Sequence, residues 1–230
     1  MKKPFLNVGY LSLFILAILV VMQVFPIVIF GRGSLPILDF EFAKSEADVL
    51  NLFFDGDYKH ELIRAVNWVN RVDFLFMAAY SLFLLVFLKQ TLVLTNKRLF
   101  LYALALPVLI FFADLFENIQ MFKITEQLVT DDFTNNILWL SFFTYLKWLS
   151  LALTFLIVSW FYYLRKSLLN YIFAGLSVVP VLLGIAALGT GQLLVEKLFA
   201  LSIFLAFGLS FVFCFLHEEN ASSPNTKFTV

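Results

Sequence analysis

The chain has 230 residues, 62% of them apolar, with 30 Phe and only 14% charged side chains, a composition outside the range of water-soluble domains. Its 16 basic and 16 acidic residues cancel, which removes the bulk electrostatic case for nucleic acid or a strongly acidic partner. A single Cys excludes an internal disulfide framework or a cysteine-built metal site. The composition predicts an all-α integral membrane protein whose first partner is the lipid bilayer.

A hydrocarbon core about 30 Å thick needs about 20 apolar helical residues. Six windows of that kind, bounded by charge, lie at residues 8–30, 68–88, 99–118, 142–164, 169–188 and 198–216. The first follows Lys2 and Lys3, but it is long for a signal-peptide core and no small-x-small cleavage site follows, so it reads as a retained span. Eight Lys and Arg fall in residues 1–7, 89–98, 165–168 and 217–230, against seven in the twice-longer set 31–72, 119–136 and 189–197. The bias places both termini in the cytoplasm. Trp68, Trp139, Tyr145 and Trp148 then form an outer aromatic girdle. Residues 1–219 read as one transmembrane domain and 220–230 as a disordered tail.

Between spans one and two, residues 39–67 form an external helical insert. Ser45 followed by Asp48 has capping-box spacing, with Ala47, Leu50 and Phe54 on one face of a short amphipathic helix. Asp55-Gly56-Asp57 breaks it, and Asp57 is positioned to cap a second helix that runs straight into span two. The triplet resembles the start of an EF-hand, but Val66 stands where the bidentate Glu belongs. In spans five and six, Gly175, Gly184 and Gly208 are candidate close-approach points and Pro180 a candidate kink.

Charges inside spans ask for a partner or a purpose, since each costs about 2.5–3.5 kcal/mol at the centre of the bilayer. Span two carries Arg71 and Asp73, span three Asp114 and Glu117 with Asn118, and span four Lys147. With a rise of about 1.5 Å per residue, Asp73 lies about 24 Å from Lys89, Asp114 and Glu117 about 24 and about 28 Å from Arg98, and Lys147 about 27 Å from Arg165. All share one layer at the outer edge of the core. Asp114, Glu117 and Asn118 share a helix side, Asp73 aligns with Met77 and Tyr80, and Lys147 with Thr144 and Thr154. Spans two to four are therefore expected to pack around one outward-facing polar pocket.

The pattern Asp73-x-x-Phe76-x-x-x-Tyr80, followed by Ala113-Asp114-x-x-Glu117-Asn118, resembles a family of small bacterial polytopic membrane proteins with an intramembrane A-D-x-x-E-N signature and no assigned activity. The likeness covers residues 39–150. It implies a bacterial plasma (inner) membrane and supports the site without naming its chemistry.

Three carboxylates against two cations leave a surplus acid that must hold a proton or a ligand, and neighbouring carboxylates tend to split into an acid and a base. One reading is a lipid-like ligand site in which Asp114 and Glu117 are the acid/base pair. Lys147 and Arg71 are then its cations, Asp73 and Asn118 supporting partners, Tyr80 a deeper donor, and the helix at 47–54 a lid. No cofactor is named by any motif. A divalent ion on Asp73, Asp114, Glu117 and Asn118, with His60 nearby, is compatible with the residue types, although no zinc-type spacing occurs. The other readings are a purely structural ion-pair network in an assembly subunit, and a small transporter or proton pathway.

Overall fold

A computed structural model of the protein describes residues 3–31, 35–55, 57–128 and 132–218. Gly56 and the tail from 220 onward, each given a role by the sequence, lie outside the described residues. The chain forms an all-α membrane bundle with six helices long and apolar enough to cross a bilayer. These are α1 (Leu6–Phe30), α4 (His60–Thr95), α6 (Ala105–Gln127) with the short α5 (Arg98–Ala103) before it, α7 (Thr134–Leu164), α8 (Leu168–Thr190) and α9 (Leu193–Leu216). Between α1 and α4 lie α2 (Ile37–Glu41), α3 (Glu46–Phe53) and a minimal hairpin in which Phe54 pairs with Tyr58.

The third span is interrupted. Pro107 has no N–H to offer the Ala103 carbonyl and its ring clashes with that group, so the chain tightens at Leu104, whose N–H bonds instead to Leu101 O at 3.3 Å. The sequence window at 99–118 reads this as one continuous helix; the structure divides it into α5 and α6.

Two cores hold the bundle. The larger is strongly aromatic, with Phe83, Phe87, Phe155, Phe161, Tyr162 and Phe213 among its buried members. Lipid tails are as apolar as Leu, so helix association rests on close packing rather than on escape from water. Interlocked rings such as Phe83 on Phe211 and Phe155 on Phe207, each with centroids 4.9 Å apart, supply it. Gly184 serves the same end, since a Cβ there would stand 3.0 Å from the Phe199 ring. Gly175 and Gly208 face open space instead, so neither marks a close approach within the chain.

The smaller core lies at the end of the bundle that carries α2 and α3. At 36 and 31 residues, α4 and α7 reach about 54 and about 46 Å, beyond the hydrocarbon thickness. Their protruding ends, with that of α6, grip the insert through Phe40, Val49, Phe53, Ile63, Met121 and Ile137. The capping box at Ser45 forms: Ser45 Oγ accepts from the Asp48 N–H at 3.2 Å and the Asp48 carboxylate accepts from the Ser45 N–H at 3.0 Å. The buried face of α3 is Val49 and Phe53, both fully covered, while Leu50 is exposed. The expected Ala47–Leu50–Phe54 face is thus corrected, because the ends of α4, α6 and α7 cover the alternative stripe of Val49 and Phe53. The cap of α4 is Lys59, two residues after the expected Asp57. At the opposite end Lys3 and Glu218 pair at 3.1 Å and tie the residues before α1 to those after α9.

Candidate functional site

The polar stripes of α4, α6 and α7 meet around Lys147, which is 7% exposed along its side chain. Its ammonium has three hydrogens and three carboxylates within reach: Glu117 at 2.6 Å, Asp114 at 3.2 Å and Glu41 at 3.3 Å. It also stands 5.0 Å over the Trp148 ring. Tyr80 donates a hydrogen bond to the second oxygen of Asp114, and Asn118 Nδ2 donates to Asp73 at 2.6 Å. Asp73, Tyr80, Asp114, Glu117, Asn118 and Lys147 therefore occupy one site. Arg71 does not join them. Two residues from Asp73 on the same helix, it faces away, is exposed, and has no ion pair among the described residues.

Thr144 adds a counting constraint. Its hydroxyl lies 3.1 Å from the Glu41 carbonyl and 3.0 Å from Glu117 Oε1. One hydroxyl hydrogen serves two acceptors there. A proton on Glu117, donated back to Thr144, would supply the second bond.

Glu41 is the member the sequence conceals. It ends α2, outside any span, where a charge is unremarkable. In the fold it accepts from the Trp148 indole N–H at 3.0 Å and pairs with Lys147. Burial pushes its carboxyl above the ordinary value of 4.5, while the Lys147 ammonium pulls it back. Trp148 itself is 4% exposed, so it belongs to the site rather than to an aromatic girdle. The structure also gives the covering role to α2 and not to α3. Burial of Val49 and Phe53 fixes α3 in the smaller core.

Beneath α2 lies a cavity of about 440 Å³, within the range of about 300–1,000 Å³ usual for small-molecule sites. Its polar end is formed by Glu41, Asp73, Asp114, Lys147 and Tyr80. The walls are apolar, with Leu19, Met22, Val69, Leu151 and Ile203 among them. At the rim Asp39 and Lys197 pair at 2.5 Å, and Gln23 of α1 and Phe204 of α9 are exposed.

A second ionic knot fixes the covering segment. Lys44 bonds Glu196 at 2.8 Å and also donates to the Gly191 carbonyl, and Tyr145 donates to the same Glu196 oxygen. Gly191 has φ +59°, a left-handed conformation that glycine adopts at no steric cost, and it turns α8 into α9 beneath the Lys44 side chain. Glu196 is fully buried, yet in sequence it reads only as a charge preceding the last span.

Among the described residues no group of three or more His, Cys, Asp and Glu is arranged to hold a metal ion. His60 lies exposed at the start of α4. Compared with protein-family models, with curated proteins and with solved structures, the chain gives no match.

Proposed function

We propose that the protein binds an amphipathic, lipid-like molecule in the cavity beneath α2 and acts on it by carboxylate acid/base chemistry. The observation that carries this reading is the two-part lining. Apolar walls suit a hydrocarbon chain, and the single polar end suits a head group held at the membrane surface. The exposed rim between α1 and α9 gives such a molecule access from the bilayer. Among the carboxylates around Lys147, Asp114 and Glu41 line the cavity and Glu117 does not. Asp114 is then the group that exchanges a proton with the ligand. Glu117, behind Lys147 and against Thr144, is a positioning residue that stores the proton. Tyr80 orients Asp114, Asn118 orients Asp73, and Arg71 takes no part.

In the same reading the α2–α3 end faces the cell exterior and both termini lie in the cytoplasm of a bacterial plasma membrane, as the distribution of Lys and Arg favours. Native mass spectrometry of the purified protein tests the ligand. A co-purified lipid-like species should be present and should be lost in Asp114→Asn and in Glu117→Gln. If both variants retain it and merely melt earlier, the cluster is a structural ion-pair network.

A further inference from the structure

We infer that the molecule bound in this cavity carries a cationic, ammonium-type head group, with Asp73 as its counter-ion and the rings of Phe76, Tyr80 and Trp148 as its wall. This deepens the reading above and rests on it. The argument is an accounting of charge at the polar end. Lys147 already stands within 3.3 Å of three carboxylates and donates hydrogen bonds to Glu41 and Asp114, and Lys197 is held by Asp39 at 2.5 Å. A phosphate or carboxylate head would find both cavity cations already engaged and four acids around it.

The carboxylates are in the opposite position. Asp39, Glu41 and Asp114 each have a Lys partner, whereas Asp73 lines the cavity with one amide hydrogen bond, from Asn118, and no cation partner among the described residues. A cation there removes the surplus negative charge that burial makes costly.

The aromatic residues point the same way independently. Phe76 and Tyr80 follow Asp73 by three and seven residues and share its helix face, with their ring centroids 5.2 Å apart. Tyr80 meets Phe207 at 5.7 Å and Trp148 meets Phe204 at 5.9 Å. All five rings line the cavity. Ring faces beside a carboxylate form the usual environment for an ammonium group, and Trp148 already shows this behaviour toward Lys147.

The test uses full-length protein in a neutral detergent and four single-chain probes of equal length: dodecylamine, dodecyltrimethylammonium, dodecanol and dodecyl phosphate. Binding is titrated by native mass spectrometry. The two ammonium probes should bind at one equivalent, about tenfold more tightly than the others. Asp73→Asn should bring all four within about threefold of one another, and Asp73→Glu should restore the preference. Leu151→Trp, which fills the cavity, should weaken all four. If dodecanol or dodecyl phosphate binds wild type as tightly as the amines, the head-group assignment falls, whatever the folding of the variants. It falls also if Asp73→Asn keeps the preference. In either case, loss of dodecanol in Leu151→Trp leaves the lipid-site reading standing. If no probe saturates wild type, or Leu151→Trp changes nothing, both readings fall.

Discussion

Lys147 is the residue on which the polar cluster turns, because its one ammonium faces carboxylates from two other elements, Glu41 of α2 and both Asp114 and Glu117 of α6. Removing one side of a buried ion pair leaves the other charge uncompensated, at a cost of about 3–5 kcal/mol. Lys147→Met should lower thermal stability in detergent by that order, and adding Asp114→Asn should recover part of it, because one surplus charge disappears. A Lys147→Met protein as stable as wild type would show that the acids are not charged around it. Glu41 gives a pH signature. Its folded value is raised by burial, so its contribution is fully present below the ordinary 4.5 and is lost as pH rises through the raised value. The melting temperature should therefore decline more steeply on the alkaline side in wild type than in Glu41→Gln, measured by differential scanning fluorimetry across that window. Most of this site was legible because charge inside an apolar window is anomalous. Glu41 was not, since in a loop-like stretch an acid carries no such signal, and Trp148 was hidden by its resemblance to an interfacial aromatic.

At the scale of elements, the helices follow hydropathy, and their departures from it have local causes: Pro107 for the break between α5 and α6, and competing stripes for the orientation of α3. Sequence spacing specified the capping box of α3 but not its buried face, because Ala47–Leu50 and Val49–Phe53 are both helical pairs and only the packing partners on α4, α6 and α7 choose between them. Ser45→Ala should cost about 1 kcal/mol and speed amide hydrogen exchange across residues 46–53 by about fivefold, that energy expressed as a local opening equilibrium. Asp48 adds a pH dependence. Its hydrogen bond with Ser45 holds its carboxyl below the ordinary 3.8, so the cap's contribution is present above that value and fades as pH falls through the lowered one. Exchange in Ser45→Ala should be the less sensitive of the two to acid; equal sensitivity would remove the capping box from the account.

For the whole molecule, the polar groups are gathered at one end and the aromatic core fills the other. Below Tyr80, the buried Phe83, Phe155 and Phe211 occupy the layer that a continuous pathway would have to cross, which favours a closed pocket over a transport route. Which side of the membrane this pocket faces decides what it meets, and here the charge distribution makes a prediction of its own. Of the 14 acids among the described residues, 13 lie in the loops and helix ends on the α2–α3 side or in the adjoining membrane layer, whereas the turns at 96–98 and 165–167 are basic. Cytoplasmic loops are the ones that retain Lys and Arg. In a Cys214→Ser background, Ala47→Cys and Arg98→Cys place one exposed thiol at each end. A membrane-impermeant maleimide added to intact cells should label position 47 at once and position 98 only after lysis. The reverse pattern would put the acidic pocket on the cytoplasmic face and require any ammonium amphiphile to arrive from the inner leaflet.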